Sequence, residues 1–352
     1  MGITIQEHEP LAPHTSMGVG GSARYWSSSS TLDQLRASIE WAKGRTLAVQ
    51  ILGGGSNTIF ADGTYPGLVI KVDLMGIEQI GDDDVDGVTL KVAAGEDWDD
   101  FVVHSIGADL SGIECLSGIP GLVGATPIQN VGAYGQEVAQ TITEVTALDR
   151  DSLEEVTFSG EECGFSYRSS RFKTDDRDRF LITNVCFRLS RGIKPALNYP
   201  QLRERMEASG DVTPASVREV VLALRRAKSM VLDPQDPNAR SAGSYFLNPI
   251  IHGPPMDAVE ERWHAVGDRS CEIPKFPESG GRVKIPAAWL VENSGFGKGF
   301  RYGQAGISEN HALAIVAHGE RAADVVRLGE MIQEAVEKRF GIRLEREPAL
   351  VE

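Results

Sequence analysis

Ile119-Pro120-Gly121-Leu122-Val123-Gly124-Ala125-Thr126-Pro127-Ile128-Gln129-Asn130-Val131-Gly132-Ala133-Tyr134-Gly135 is the stretch on which the reading of this chain turns. It is apolar, yet proline and glycine interrupt it every few residues, so it suits neither a helix nor a strand. A buried irregular backbone must satisfy its own polar groups. A large planar cofactor with a diphosphate would use such a surface: amides meet phosphates and ring edges, and small residues let the ring approach. The alternative is an ordinary structural loop, against which the length and glycine content weigh.

Upstream, a second glycine loop points the same way. Leu47 to Leu52 reads as a short apolar strand, and it ends abruptly in Gly53-Gly54-Gly55-Ser56-Asn57. Successive glycines let backbone N–H groups face an anion unobstructed, and Ser56 and Asn57 add side-chain donors. Taken alone, a plain tight turn explains the same residues. A third glycine cluster, Gly18-Val19-Gly20-Gly21-Ser22-Ala23, matches G-x-G-x-x-A but lacks its context. No hydrophobic strand precedes it and no helix follows, which argues against a Rossmann unit.

Around these loops the chain has α+β texture. Thr31 and Gln34 form a capping-box pattern before the helical face Leu32, Leu35 and Ile39. Leu68 to Val72 and Val88 to Ala93 read as strands, and Trp98, Phe101, Val102 and Ile106 as a helix face. Strand-like runs follow at 144–149, 154–158 and 180–189. Thr213-Pro214 starts a helix with Val217, Val220, Val221 and Leu224 inward, and Pro234 and Pro237 mark a boundary after it. A last helix runs from about Glu320 to Phe340, with Val325, Leu328, Ile332, Ala335 and Val336 on one side and Gly341 as its C-cap. Strands pair locally here, without regular βαβ alternation.

Size and charge narrow the partners. At 352 residues the chain suits two or three domains. Its formal charge of −15 disfavours nucleic acid and anionic membranes but leaves room for a small anion at a local basic cluster. No apolar run is long enough to span a bilayer, and Met1 to Pro10 carries no basic leader, so the expected location is the cytoplasm. Cys115, Cys163, Cys186 and Cys271 form no C-x-x-C pair and are expected to be free, mostly buried thiols. The seven histidines are scattered, and no metal site is expected.

Four further motifs carry chemistry. In Tyr167-Arg168-Ser169-Ser170-Arg171-Phe172-Lys173, a guanidinium can bind a carboxylate through two parallel bonds at any working pH. Arg171 and Lys173 read better as an exposed basic turn. Arg225-Arg226-Ala227-Lys228 reads either as helix capping or as a diphosphate site. In Ser241-Ala242-Gly243-Ser244-Tyr245-Phe246-Leu247-Asn248-Pro249, no histidine is near enough in sequence to activate Ser244 as a nucleophile, so a proton-donor role fits better than nucleophilic attack. Glu345 and Glu347 precede Pro348, and terminal glutamates are ordinarily solvated.

Taken in order from about His14 to Glu347, the Gly53–Asn57 loop, the I-P-G…P-I-Q-N-V-G-A-Y-G stretch and these motifs resemble the UDP-N-acetylenolpyruvoylglucosamine reductase family. The resemblance implies an α+β chain with an FAD-binding fold of the vanillyl-alcohol-oxidase type. FAD-binding subdomains would span 1–73 and 74–227, a substrate-binding domain 228–342, and a segment returning to the active site 343–352. It implies non-covalent FAD held by Gly53, Gly54, Gly55, Ser56, Asn57, Ile119, Pro120, Gly121, Gly124, Ala125, Thr126, Gln129, Asn130, Gly132, Ala133 and Tyr134. Arg168, Ser244 and Glu347 would be catalytic, and Tyr167, Tyr199, Lys228 and Asn248 would contact substrate. Tyr199 would sit on a loop that closes over the UDP group. The activity implied is NADPH-dependent reduction of an enolpyruvyl UDP-sugar in peptidoglycan precursor synthesis, by a monomer. An oxidase of the same flavin superfamily and a non-catalytic UDP-sugar-binding module stand as alternatives. The chain departs from the family pattern at Gly54, at Pro348 and in a longer connection between Lys228 and Ser244.

Overall fold

The computed structural model describes residues 2–84, 87–192, 194–207, 211–266 and 272–352. Two compact units divide the chain. One comprises Met1–Glu9, Ala23–Gly54 and Pro66–Val231; the other comprises Pro10–Ser22, Gly55–Tyr65 and Leu232–Glu352.

In the first unit, a four-stranded sheet takes the order Gln6–Pro10, Ser22–Ser29, Thr64–Val72, Val49–Leu52. The last two strands run parallel, Val49 opposite Leu68 through Leu52 opposite Lys71, so Gly53 emerges at the carboxyl end of a parallel strand. Helix Leu32–Lys43 covers this sheet with Leu35, Ile39 and Ala42. Thr31 caps it by accepting from Gln34 N, but the Gln34 side chain returns to Ser30 N rather than to the cap residue itself. Ser22–Ser29 is a strand, as rejection of a Rossmann unit requires.

A second sheet in the same unit is antiparallel, in the order Glu155–Ser159, Ile142–Asp149, Phe180–Arg191, Gly87–Ala93, Ile77–Asp84. Helix Trp98–Gly107 packs Trp98 and Phe101 on Phe187 of the long central strand, with ring centroids 5.9 and 5.0 Å away. Each such fully buried aromatic or aliphatic side chain stabilises the fold by about 1.5–3 kcal/mol. Asp97 caps this helix through the N–H groups of Asp99 and Asp100. Helix Pro214–Arg226 starts on a Thr213/Ser216 capping box and buries Val217, Val221 and Leu224 against Cys115, Leu202 and Met206. Val220, expected inward, is only half-buried.

The second unit is organised by helix Ala322–Phe340. Val325, Leu328, Ile332, Val336 and Phe340 are buried along it, and Gly341 ends it in a left-handed cap (φ 72°). Ala335, expected on that face, is half-buried. Asp62 caps the start, accepting from Ala322 N at 2.8 Å and Ala323 N at 3.0 Å. The ring of Phe340 stacks on Trp263 of helix Gly253–Val266. Two small antiparallel sheets complete the unit, and its terminal strand Ala349–Val351 runs parallel to Thr58–Phe60. Cys115, Cys163 and Cys186 are buried free thiols; Cys271 lies outside the described residues.

Candidate active site

In the first unit, helix Trp98–Gly107 sets the start of the long irregular stretch. Trp98 Nε1 donates to Leu116 O at 3.0 Å, Trp98 N to Gly121 O at 3.0 Å, and Gly118 N to Asp99 Oδ1 at 2.6 Å. Arg218 grips Asp99 with both Nη atoms, at 2.5 and 2.7 Å. Burial alone would raise the Asp99 carboxyl, but bonds from Arg218 and Gly118 N outweigh it and hold the group below the usual carboxylate range.

The two glycine loops touch here. A Cβ on Gly54 would lie 2.8 Å from Gly121 Cα, closer than any side chain tolerates, and one on Gly53 would lie 3.7 Å from Ala125 Cβ. Bare backbone at Gly54 is what lets the two loops pack on one another. In the long stretch, the N–H groups of Val123, Gly124, Ala125, Thr126 and Val131 already donate to Glu96 O, Ala94 O, Leu122 O, Val123 O and Thr126 O. Those amides hold the loop in shape and tie it to Ala94 and Glu96.

Two residues assigned to the cofactor are buried and spend their side chains inside the protein. Thr126 Oγ1 bonds Val123 O at 2.8 Å. Asn130 Nδ2 bonds Glu137 Oε2 at 2.8 Å and Ser166 O at 3.1 Å, and its Oδ1 accepts from Ala139 N at 3.1 Å. They shape the loop from behind.

Arg168 sits at a tight turn closed by reciprocal Ser166–Ser169 backbone bonds, with φ at 53°. A non-glycine residue held there costs about 1–3 kcal/mol. Its Nη1 and Nη2 donate to Asn130 O and Gly132 O, and it lies 5.3 Å from the Tyr167 ring centroid. Asn130, Gly132, Tyr167 and Arg168 are thus brought together, with the guanidinium aimed by neutral carbonyls. Arg171 and Lys173 are not the exposed turn expected of them. Both are half-buried: Arg171 pairs with Asp176 at 2.6 Å, and Lys173 Nζ bonds Arg168 O at 3.0 Å.

Tyr199 precedes helix Pro200–Glu207 and meets Tyr134 edge-on, with centroids 5.4 Å apart. Burial raises the Tyr134 phenol, which nearby Arg225 partly offsets. Lys228 follows helix Pro214–Arg226 and bonds Arg225 O through its backbone N.

Arg225 is the residue that sequence reasoning passed over as a helix-capping cation. It is 7% exposed, its Nη2 donates to Met230 O at 2.6 Å, and its Nε has no partner among the described residues. Burial pushes its guanidinium down, against the charges of Tyr134 and Asp99. The signal was there: Arg225 lies four residues beyond Val221, on the inward face.

In the second unit, the carbonyls of the short glycine loop are the side that is tied down. Gly55 O accepts from Ser16 N at 3.2 Å and Asn57 O from Ala349 N at 2.9 Å. The segment 345–347 runs antiparallel to 245–247: Leu247 N bonds Glu345 O at 3.0 Å, Glu347 N bonds Tyr245 O at 2.9 Å, and Phe246 bridges Arg346. Glu347 and Ser244 are therefore neighbours on paired backbone. Glu347 is half-buried and Glu345 exposed. Asn57 Nδ2 reaches Glu347 O at 3.4 Å, joining the glycine loop to the same place. Ser244 is half-buried, and its hydroxyl has no hydrogen-bond partner among the described residues. Asn248 Oδ1 accepts from Ala287 N at 2.8 Å.

Among the described residues no group of three or more His, Cys, Asp or Glu side chains is placed to hold a metal, and no helix is long and apolar enough to cross a membrane. A cavity of about 460 Å3 opens on the antiparallel sheet beside Lys91, Glu144, Thr146 and Asn184; no candidate site residue lines it.

Known proteins resemble this chain in sequence and in fold. An FAD binding domain profile matches residues 28–155, and the UDP-N-acetylenolpyruvoylglucosamine reductase C-terminal domain matches 234–351. The chain is 42% identical over 355 residues to the UDP-N-acetylenolpyruvoylglucosamine reductase of Thermobifida fusca, covering 100% of this chain and 99% of that one. It is 43% identical to that of Salinispora arenicola, covering 97% and 94%. The crystal structure of the Thermus caldophilus reductase superposes over 100% of both chains with a TM-score of 0.66 at 24% identity, a likeness of fold. The FAD binding domain match and these relatives place the chain among FAD-dependent oxidoreductases. Within that class, the chain belongs to the UDP-N-acetylenolpyruvoylglucosamine reductase family.

Proposed function

We propose that this chain, like the UDP-N-acetylenolpyruvoylglucosamine reductases it resembles, reduces that UDP-sugar, acting on its enolpyruvyl group with NADPH, and so supplies the UDP-N-acetylmuramate of peptidoglycan precursors. Residues 1–73 and 74–227 carry the FAD-binding part in this reading, 228–342 the substrate-binding part, and 343–352 returns Glu347. Both glycine loops lie within residues 28–155, which match an FAD binding domain, and their backbones pack together at Gly54 and Gly121. Bound FAD would supply the hydride chemistry between NADPH and the substrate carbon.

The chain's residues do the rest. The Gly53–Asn57 loop holds the diphosphate, backed by Gly121 and Ala125. Lys228, Asn248 and Tyr199 orient the UDP group, with Tyr199 closing over it. Arg168 binds the substrate carboxylate, and negative charge developing there meets a guanidinium already aimed by Asn130 and Gly132. Stabilisation that acts only as charge develops is what lowers the barrier. Glu347 shares in holding that enolate. The Ser244 hydroxyl gives its proton to the adjacent carbon. The enzyme works as a monomer in the cytoplasm, where both nucleotides are found.

The observation that carries this reading is the pairing of Glu347 N with Tyr245 O, which seats the glutamate next to the serine. Ser244→Ala is the test. The variant is expected to stay yellow and be reduced by NADPH at the wild-type rate, while turnover of the UDP-sugar falls by about 10²–10⁴, the range for losing a general acid. Turnover near the wild-type value would remove the proton donor from the scheme.

A further inference from the structure

The second unit contains a connection that the proposed chemistry does not use. Segment 14–18 runs beneath the short glycine loop in backbone contact: Gly55 has φ +62°, and a Cβ on it would lie 1.9 Å from His14 O. Ser16, half-buried in this segment, reaches two ways. Its N–H donates to Gly55 O at 3.2 Å, and its hydroxyl donates to Ser241 O at 2.7 Å. The contact from the same hydroxyl to Ser56 O, at 3.5 Å, is at the outer limit of a bond, and one hydroxyl has one proton. The bond to Ser241 is therefore the one that counts.

Ser241 lies three residues before Ser244. Downstream, Tyr245 is already fixed, its N–H on Leu313 O at 2.7 Å and its carbonyl receiving Glu347 N. Upstream, Ser241 is held by a bridge to Val316 and by Ser16. Between these anchors stands Gly243 at φ +74°, a joint that leaves the placement of Ser244 to the anchors. We propose that Ser16 is a positioning residue. It couples the cofactor loop Gly55–Asn57 to the loop carrying Ser244, so that diphosphate binding on the first fixes the hydroxyl of the second. The inference rests on the proton-donor reading of Ser244. A misplacement of about 1 Å at a reacting group costs up to 10²-fold, so a tie of this kind registers in rate.

The test uses the full-length flavoprotein as Ser16→Ala, Ser16→Thr and Ser244→Ala, each half-reaction followed by stopped flow, and FAD titrated into apoprotein by flavin fluorescence. In Ser16→Ala, oxidation of the reduced enzyme by the UDP-sugar is expected to slow about tenfold while reduction by NADPH stays within about twofold. FAD should bind about threefold or more weakly, and Ser16→Thr, which keeps the hydroxyl, should recover both within about threefold. Equal slowing of both half-reactions, no slowing of the second, unchanged FAD affinity, or failure of Ser16→Thr to rescue each overturns the coupling. Normal turnover by Ser244→Ala removes the proton-donor reading and this proposal with it. A crippled Ser244→Ala beside a normal Ser16→Ala removes this proposal alone.

Discussion

At the scale of single residues, the candidate site is made by close approach more than by charge. Gly55 shows it best, because both its left-handed φ and the His14 carbonyl exclude a side chain. Gly55→Ala is expected to abolish tight FAD binding and lower stability by several kcal/mol, of order the large effects of strained or overpacked sites. Apoprotein titration and a denaturant melt check it, and an alanine variant that binds FAD normally would show the loop to be slack. Arg168 carries a related cost in its positive φ, which its carbonyl partners and the Ser166–Ser169 turn sustain. Asn130 and Thr126 were legible as important residues but not as internal ones. A sequence does not say whether a polar side chain faces a ligand or its own loop, since either satisfies it equally well.

Among the elements, those with strong local signals were readable. Helices Leu32–Lys43, Trp98–Gly107, Pro214–Arg226 and Ala322–Phe340 announce themselves through caps and apolar periodicity, and Gly341 ends the last as expected. Helices Pro200–Glu207, Gly253–Val266 and Ala287–Glu292 were not read. They are short, proline-led or weakly amphipathic, so packing rather than pattern makes them helical. Strand Ile77–Asp84 is acidic and was invisible for the same reason; its partner Gly87–Ala93 recruits it.

Helix Trp98–Gly107 yields a pH prediction. The folded Asp99 carboxyl is depressed, so its contribution to stability is complete above the unfolded value of about 3.9 and is lost as pH falls through the folded value. Its neighbour Asp97 is pushed up by burial and has the opposite sign, which makes a single substitution informative. Asp99→Asn should be less stable than wild type at neutral pH, with the gap closing as pH drops below about 4. Guanidinium melts at both pH values measure this, and a gap independent of pH would refute the charge argument.

For the whole molecule, charge is the property visible without any structure. At −15 the chain repels itself, and added salt screens that repulsion. Raising NaCl from low to physiological strength should lift the melting midpoint by about 2 °C, in contrast to a protein held by surface ion pairs. Differential scanning fluorimetry decides it; a midpoint that falls with salt would mean local ion pairs such as Arg218–Asp99 outweigh net repulsion.

By itself the sequence determined the α+β class, the two glycine loops and the family, because turn chemistry, periodicity and motif order are local properties that survive in one dimension. Tertiary structure alone decided that Arg225 is buried, that amides of the long loop bond its own carbonyls and those of Ala94 and Glu96, and that the Ser16 hydroxyl bonds the carbonyl of Ser241, 225 residues away. Those facts depend on which backbone groups meet across long separations, and hydrogen bonds of that kind leave no period or composition behind for a reader of the chain.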